Sequence, residues 1–241
     1  VWIDTIKDAL KYWGFIEVYT PSLVSKKLFE RYGFTSNNLI KLKHPLTEDS
    51  CYLRNSIIPG LLAAMEENQT RTEQLKLFEL SNVYEPRTNQ TPPNNPINEI
   101  RMLTAAVRGT TFPHIKGVVE RLFEVLTIDV YQCKEGTGET MAIIEIDGTP
   151  CGKIMQKQDI LLFDLMIDAI IPYATNKKTY RPIPRYPPII EDVSFVFPPK
   201  TSIGPVIESI KRVDKLIVYA KLIDSYEQTR TFRISYQDPK K

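Results

Sequence analysis

Residues that bind metals or form disulfides are scarce in this sequence. Its 241 residues include 3 Cys and 2 His, and none falls at the spacing of a zinc site, a redox pair or a Cys–His nucleophile. We therefore expect inert thiols in a reducing compartment and no metal centre. No apolar run approaches the roughly 18 residues of a membrane span, and no basic and then apolar leader opens the chain. These absences favour a cytoplasmic protein without a membrane partner.

Charge of one sign is also lacking. The formal net charge is only +2, which is too small to indicate a nucleic-acid binder by itself. The tail is more basic than the body, because from residue 181 onward 11 Lys and Arg stand against 7 Asp and Glu. Such a tail suits an appendage that contacts RNA, and solvated surface charge explains it nearly as well.

What the sequence does contain is an ordinary globular composition, with 42% hydrophobic and 25% charged residues, enough for one sizeable core or two unequal ones. Residues 174–188 interrupt it with four prolines and a cluster of Lys and Arg. Such a stretch is stiff and exposed. We therefore predict a core over residues 1–175, a linker over 176–188 and a second domain over 189–241. Because Val rather than Met comes first, we expect a longer parent protein.

Three segments in a defined order carry the most information. LTED (46–49) is followed by LRNSIIPGLL (53–62) and then by LKLFELSNVYEP (75–86). In the second segment, Ser56 can cap a helix and Pro59 suits a first helical turn. The order of the three resembles the β subunits of bacterial phenylalanyl-tRNA synthetase, in the class II synthetase-like core near their C-terminal end.

The resemblance implies an α+β fold with an antiparallel class II synthetase-like sheet and flanking helices. A helix over 3–13 and a strand over 15–19 are similar to motif 1 of that class, which forms its dimer interface. Strands over 77–84 and 101–108, around a proline-rich loop over 86–99, are similar to motif 2, whose hairpin grips ATP and the tRNA end in active enzymes.

Local patterns predict the elements that follow. We expect a helix over 118–126, a hairpin around Asp147-Gly148, which is a strong turn dipeptide, and a strand over 161–169. Residues 132–140 are predicted to be a short loop.

The resemblance also bears on catalysis, since in the bacterial α₂β₂ enzyme the α subunit carries the active site. An active motif 2 needs an Arg at the end of its first strand to hold the α-phosphate, and here Tyr84 and Glu85 occupy that stretch. We expect no catalytic residue and no cofactor on this chain, which would be inactive alone. ATP and Mg²⁺ are implied for the holoenzyme, and the implied partners are the α subunit and tRNA-Phe, not DNA.

Four residues are candidates for contact with the α subunit: Trp2, Ile6, Trp13 and Arg54. The two tryptophans of the first helix fit a local core equally well. Arg54 has an alternative too, which is a pair with a nearby carboxylate such as Glu48 or Asp49.

The last domain is similar to the ferredoxin-fold anticodon-binding domain of the same β subunits. We predict a strand near 193–197, a helix over 203–213 and strands over 215–225 and 231–237. This β-α-β-β order is three-quarters of a ferredoxin-like βαββαβ fold. The final helix and strand, and the glycine-rich turn usual between the last two strands, are expected to be missing.

Alternation along the last strand predicts which residues meet RNA. Phe232, Ile234 and Tyr236 fall on the face that the helix covers, and Arg233 falls on the open face. RNA bases would meet the open face, and phosphates would meet the linker arginines. The candidates for tRNA binding are Arg181, Arg185, Ser194, Tyr219, Lys221 and Arg233.

Two other functions fit the same motifs. An active single-chain phenylalanyl-tRNA synthetase of the organellar kind also ends in this domain, although the missing motif 2 Arg argues against it. A synthetase-derived RNA- or protein-binding module would need no aminoacylation partner. Exchange of pyrophosphate into ATP by this chain alone would identify the first, and failure to bind an α subunit would identify the second.

Overall fold

The computed structural model describes residues 1–70, 74–87, 96–177, 184–199 and 201–238. The chain divides into two compact units, Val1–Lys178 (unit 1) and Thr179–Lys241 (unit 2). Each unit contains its own β-sheet. In the described part of the chain, no helix has the length and apolar character needed to cross a membrane.

Unit 1 mixes helices and strands. Its helices are α1 (Trp2–Tyr12), α2 (Lys26–Arg31), α3 (Ile58–Glu67), α4 (Phe112–Val125) and α5 (Ile167–Ile170). Its strands are β1 (Ile16–Glu17), β2 (Leu23–Val24), β3 (Ile40–Lys41), β4 (Tyr52–Leu53), β5 (Lys76–Pro86), β6 (Ile97–Arg108), β7 (Tyr131–Glu135), β8 (Thr140–Ile146), β9 (Thr149–Lys157) and β10 (Ile160–Met166). Single 3₁₀ turns cover Glu48–Ser50 and Ile171–Tyr173.

The first helix and the third show how local sequence becomes local structure. Ile6 and Leu10 of α1 recur at helical spacing and are fully buried. The chain leaves α1 through Gly14, whose φ of +83° suits a residue without a side chain. Before α3, Ser56 Oγ accepts the backbone N–H of Ile58 at 3.2 Å, which satisfies one of the open donors of the first turn.

The main sheet of unit 1 has seven strands in the order β1-β5-β6-β10-β9-β8-β7. β1 pairs with β5 in parallel, and the remaining neighbours are antiparallel. A second, small sheet has the order β2-β4-β3. The predicted hairpin turn at Asp147-Gly148 joins β8 and β9, and both residues have positive φ, as its tight turn type requires.

Hydrophobic side chains cover both faces of the main sheet. On one face, residues of α1 and α4 pack with Phe78, Phe123 and Phe163 in the larger core cluster. On the other face, α3 packs through Leu61 and Met65 against a second cluster. The sheet is therefore the middle of three layers, and burial on both faces explains the continuous apolar runs in its central strands.

Three predicted segments of unit 1 differ from the structure. Residues 97–99 were predicted as loop and instead continue β6, where sheet pairing with the end of β5 outweighs their low apolar content. Residues 132–135 were predicted as loop and form the edge strand β7, paired with β8. Residues 167–169 were predicted as strand and begin the short helix α5, which buries Ile167 and Ile170 at helical spacing.

Unit 2 contains β11 (Ile189–Val196), α6 (Ile203–Val213), β12 (Ile217–Tyr226) and β13 (Thr229–Tyr236). The sheet order is β11-β13-β12, and β13 is antiparallel to both neighbours. This is the split β-α-β arrangement of a ferredoxin-like fold. Phe232 and Ile234 are buried, and the ring of Phe232 lies 6.1 Å from those of Phe195 and Phe197.

The turn between β12 and β13 closes without glycine. Tyr226 lies opposite Thr229, so Glu227 and Gln228 form a two-residue turn. Glu227 has a φ of +49°, which is the left-handed conformation that such turns require and that glycine adopts more readily. The predicted lack of a glycine-rich turn is thus compatible with a tight hairpin.

Candidate functional site

A buried ion pair joins three segments of unit 1. Arg54 and Glu79 are each 1% exposed, and Arg54 Nη2 lies 2.8 Å from Glu79 Oε1. Arg54 also donates from Nη1 to Thr20 Oγ1 at 2.8 Å and from Nε to the carbonyl of Asn82 at 3.2 Å. Thr20 donates from its backbone N and its hydroxyl to Glu79 Oε2. The network ties the segments that follow β1 and β4 to the middle of β5.

This network corrects both expectations for Arg54. The predicted pair with Glu48 or Asp49 is wrong, because the carboxylate partner is Glu79. The predicted contact with another subunit is also wrong, since the buried guanidinium offers almost no surface to a partner. A signal for the true partner was present: a glutamate in the middle of an apolar strand is rarely buried unless it is paired.

A row of polar side chains crosses the face of the main sheet that α3 covers. In register, Glu79 lies opposite Thr104, Thr104 opposite Asp164, and Asp164 opposite Lys153. Thr104 Oγ1 donates to Asp164 Oδ1 at 2.6 Å. Burial raises the pKa of Asp164, against the opposing effects of that hydrogen bond and of the positive charge of Lys153. Both buried carboxylates of the row have partners, Asp164 in Thr104 and Glu79 in Arg54, so they act as structural groups of the sheet.

The end of β5 carries Tyr84 and Glu85, the stretch predicted to stand in place of the phosphate-binding Arg of an active motif 2. Tyr84 donates its backbone N–H to the carbonyl of Arg54 at 2.8 Å, and Glu85 is exposed. Neither side chain supplies a cation, and a carboxylate repels phosphate. Part of the predicted loop, residues 88–95, lies outside the described residues. Within the described ranges, no group of three or more His, Cys, Asp or Glu side chains is placed to hold a metal ion.

Helix α1 and the residue that caps its end carry three of the four predicted contacts with the α subunit, namely Trp2, Ile6 and Trp13. Ile6 is fully buried in the core of unit 1, so the prediction that it meets a partner is wrong. Trp2 and Trp13 are partly exposed and pack against the same core. Exposed apolar side chains that the sequence analysis missed extend this surface: Tyr12, Ile16 and Tyr19. Their exposure depends on which side of the helix and strand the core occupies.

Glu17 joins α1 to β1 through a cluster of polar contacts. Lys11 Nζ lies 2.8 Å from Glu17 Oε2, Lys7 Nζ contacts Oε1 at 2.5 Å, and the Tyr19 hydroxyl donates to Oε1 at 2.9 Å. Partial desolvation acts to raise the pKa of Glu17, but the hydrogen bonds from Lys11, Lys7 and Tyr19 outweigh it and lower the pKa to about 2.

We expect Glu17→Gln to lower the stability of unit 1 at neutral pH, by at most about 1 kcal/mol because Lys7 and Lys11 remain partly exposed to solvent. Because the pKa of Glu17 is depressed, its ionised carboxylate stabilises the fold at pH values above the ordinary carboxyl pKa, and this contribution is lost as the pH falls towards 2. Denaturation followed at pH 7, 4.5 and 2.5 should show the difference between wild type and variant shrinking at each step. A difference that is constant with pH would contradict the assignment.

The sheet of unit 2 has one face turned away from α6, here called the open face. Its side chains are Ile190, Asp192, Ser194 and Val196 of β11, Thr229, Thr231, Arg233 and Ser235 of β13, and Tyr219, Lys221, Asp224 and Tyr226 of β12. Four of the predicted tRNA-binding residues therefore lie side by side: Ser194, Tyr219, Lys221 and Arg233. Ser194 and Thr231 share a hydrogen bond of 2.8 Å between their hydroxyls.

Arg233 has a partner on the neighbouring strand. Its Nε and Nη2 donate to Oδ1 and Oδ2 of Asp192, each at 2.8 Å. The hydrogen bonds from Arg233 lower the pKa of Asp192, so this carboxylate is ionised at neutral pH. The pair is not evident from the sequence, because the partners are 41 residues apart and meet only through the register of β11 and β13.

The two predicted linker arginines precede the first strand of unit 2. Arg185 is exposed and its guanidinium lies 5.8 Å from the ring centre of Tyr186, while Arg181 falls outside the described residues. Tyr226, which was not among the predicted residues, is 71% exposed on the open face. Its place at the end of a strand, before a tight turn, was the available signal.

Comparisons with known proteins agree with this architecture. The family model described as the phenylalanyl tRNA synthetase beta chain CLM domain matches residues 2–147. The phenylalanine–tRNA ligase beta subunits of Thermotoga maritima and Anaeromyxobacter dehalogenans are 28% and 26% identical to this chain, each over 92% of it and 31% of the relative. Two solved structures of pyrrolysyl-tRNA synthetase from Desulfitobacterium hafniense are similar to this chain, with TM-scores of 0.58 and 0.57 and 14% sequence identity. Each match covers 70% of this chain, and the matches cover 64% and 67% of the two synthetase chains.

The antiparallel sheet, its helices on both faces and these structural neighbours define the fold of the class II aminoacyl-tRNA synthetases, which confirms the predicted α+β class. Within that class, the chain belongs to the phenylalanyl-tRNA synthetase beta chain CLM domain family. The predicted family is thereby confirmed. The chain spans about a third of the length of the curated relatives it matches.

Proposed function

We propose that this chain is part of the β subunit of phenylalanine–tRNA ligase. It would dock the catalytic α subunit in an α₂β₂ heterotetramer and contact tRNA-Phe during ATP-dependent aminoacylation in the cytoplasm. The observation that carries the proposal is the family membership of residues 2–147. The order of the two units supports it, because a class II core followed by a split β-α-β unit is the order that the resemblance implies.

Catalysis belongs to the α subunit in this proposal. Tyr84 and Glu85 at the end of β5 do not fit a triphosphate, since neither side chain can neutralise its charge. The α3 face of the sheet is filled by hydrophobic side chains and by a polar row in which Asp164 is bonded by Thr104 and Glu79 is paired with Arg54. ATP and Mg²⁺ would therefore be held by the α subunit, with this chain contributing scaffold and partner surface.

Exchange of pyrophosphate into ATP in the presence of phenylalanine tests this division. The chain alone should give no exchange above background, and the α subunit of the same organism together with the complete β subunit should give full exchange. Exchange by the chain alone would favour the single-chain synthetase. Failure of the α subunit to copurify with the complete β subunit would favour a binding module without an aminoacylation partner.

Docking in this proposal uses the outer side of α1 and β1. Tyr12 and Tyr19 are exposed there and Trp2 and Trp13 are partly exposed, and aromatic residues are enriched at protein interfaces. Motif 1 has the same role in the class that the chain resembles. The proposal therefore assigns the α subunit to this edge of unit 1.

The open face of unit 2 is the proposed contact with tRNA. Tyr219 and Tyr226 are exposed on β12, with Lys221 between them. Sequence-specific RNA recognition mostly targets unpaired bases, which stack on aromatic side chains and on Arg guanidinium planes. A sheet that presents two tyrosines, Lys221 and Arg233 supplies both kinds of contact.

Tyr226→Ala should weaken binding of a tRNA-Phe anticodon stem-loop by about 5- to 150-fold, because base–aromatic stacking contributes about 1–3 kcal/mol per base. Fluorescence anisotropy with a labelled stem-loop measures the change. Tyr173→Ala is the matched control, since Tyr173 is an exposed tyrosine of unit 1, and it should leave the affinity unchanged. Equal affinities for wild type and Tyr226→Ala would remove Tyr226 from the interface.

A further inference from the structure

The pair between Arg233 and Asp192 has a geometry that bears on what the open face can bind. Nε and Nη2 of the guanidinium face both carboxylate oxygens at 2.8 Å, which is the fork-to-fork arrangement that Arg otherwise uses for phosphate. The side chains of Arg233 and Asp192 are 49% and 40% exposed. The pair therefore lies on the surface where a ligand would arrive, with its phosphate-binding edge already occupied.

The charges around this pair balance. Among the charged side chains of the open face, Arg233 and Lys221 are opposed by Asp192 and Asp224. The rest of the face is aliphatic, hydroxylic or aromatic, with Ile190 and Tyr226 well exposed. Surfaces that hold a nucleic-acid backbone carry a clear excess of Lys and Arg, because they must neutralise several phosphates. This face has no such excess.

An ordinary surface ion pair is the simplest alternative explanation. Exposed pairs contribute little to stability, and Asp192 and Arg233 are directly opposite on paired strands, where opposite charges are common. A pair with only that role would leave the ligand preference of the face unchanged when it is removed. The two explanations therefore differ in what they predict for binding.

We infer that Asp192 is a specificity-determining residue, which occupies the fork of Arg233 so that the open face accepts unpaired bases and discriminates against backbone phosphates. The inference rests on the proposed contact with RNA. Asp192 acts as a positioning residue, since it works through Arg233. The recognised class is single-stranded RNA, because its bases are exposed, whereas a duplex of the same length presents mainly phosphates and sugars.

Salt-dependent binding of two probes tests this inference in the full chain. The probes are a labelled single-stranded oligoribonucleotide and an RNA duplex of the same length. In Asp192→Asn the freed fork should gain one phosphate contact. For the duplex, the slope of the logarithm of the association constant against the logarithm of the salt concentration should then steepen by about 0.9. The affinity for the duplex at low salt should rise by roughly tenfold. Preference for the single strand should fall accordingly.

Two control variants distinguish the effect of freeing the Arg233 guanidinium from the effect of removing one negative charge. Glu191→Gln removes the same charge one residue away, opposite Ile234 and not opposite Arg233, and should leave the duplex slope unchanged. In an Arg233→Ala background, Asp192→Asn should no longer steepen the slope, because the two residues act as one unit.

The possible results separate this inference from the proposed function. A wild-type chain that binds neither probe at low salt would overturn both. A wild-type chain that binds the single strand, together with an Asp192→Asn variant whose duplex slope is unchanged, would overturn the inference alone. Equal steepening by Glu191→Gln would also overturn it, since the effect would then be one of net charge.

Discussion

Arg54→Ala is expected to lower the free energy of unfolding of unit 1 by about 3–5 kcal/mol, the effect of removing one partner of a buried ion pair. The substitution leaves the Glu79 carboxylate buried without its cation and removes the donors to Thr20 and to the carbonyl of Asn82. Marginally stable proteins lose a large part of their stability by such a change.

Tryptophan fluorescence during denaturation measures this loss, because Trp2 and Trp13 are the two tryptophans of the chain and both belong to unit 1. Arg121→Ala is the control: Arg121 is exposed and pairs with Glu124 one helical turn away, so its removal should change the free energy of unfolding by less than about 1 kcal/mol.

If Arg54→Ala does not fold, a double variant keeps the prediction testable. Replacing Arg54 by Met and Glu79 by Leu together removes both buried charges and should be less destabilising than either single substitution. The role assigned to the pair would be contradicted if Arg54→Ala lowered the free energy of unfolding by less than about 1 kcal/mol. It would also be contradicted if the double variant were less stable than both single variants.

Phe232→Ala is the second large prediction, with an expected loss of about 3–5 kcal/mol in unit 2. Phe232 is fully buried and its ring meets those of Phe195 and Phe197. Unit 2 is small, and a small unit buries a lower fraction of its surface than a large one. An apolar groove of about 650 Å³ between β11 and α6 leaves this core open on one side, so few other contacts can replace the lost ring.

Amide hydrogen exchange, measured separately for each strand, tests the expected loss of stability in unit 2. Amides of β11, β12 and β13 should lose protection in Phe232→Ala, while the central strands of unit 1 keep theirs. Val213→Ala removes an exposed side chain of α6 and should leave protection in the sheet unchanged. Unaltered protection of β13 in Phe232→Ala would show that the aromatic cluster does not hold unit 2 together.

In the proposed function, unit 1 serves as a scaffold while the α subunit carries catalysis. Unit 1 keeps the sheet of class II synthetases and fills its α3 face with apolar contacts and a polar row from Glu79 to Lys153. Arg54 anchors the segments after β1 and β4 to that sheet. The outer side of α1 is thereby held in place for the proposed docking of a partner.

Much of the fold was predictable from local patterns. Helical spacing of Ile6 and Leu10 predicts α1, the dipeptide Asp147-Gly148 predicts the β8–β9 turn, and alternation predicts that Phe232 is buried and Arg233 exposed. In each case the signal is contained within a few consecutive residues, because side-chain direction follows the period of the helix or strand.

The errors occurred where neighbours in space determine the outcome. Residues 97–99 read as loop because their composition is polar, yet pairing with β5 extends them into a strand. Ile6 and Arg54 read as interface residues because sequence alone does not say which side of an element faces the core.

The sequence by itself determined the family, the order of the elements and the residue types at the end of β5, since each depends on which residues follow one another. Only the tertiary structure decided that Glu79 is the partner of Arg54 and that Asp192 is the partner of Arg233. Both pairs join residues distant in the chain, and strand register brings their charges within hydrogen-bond distance. Charge pairing depends on distance in space, which a sequence does not contain.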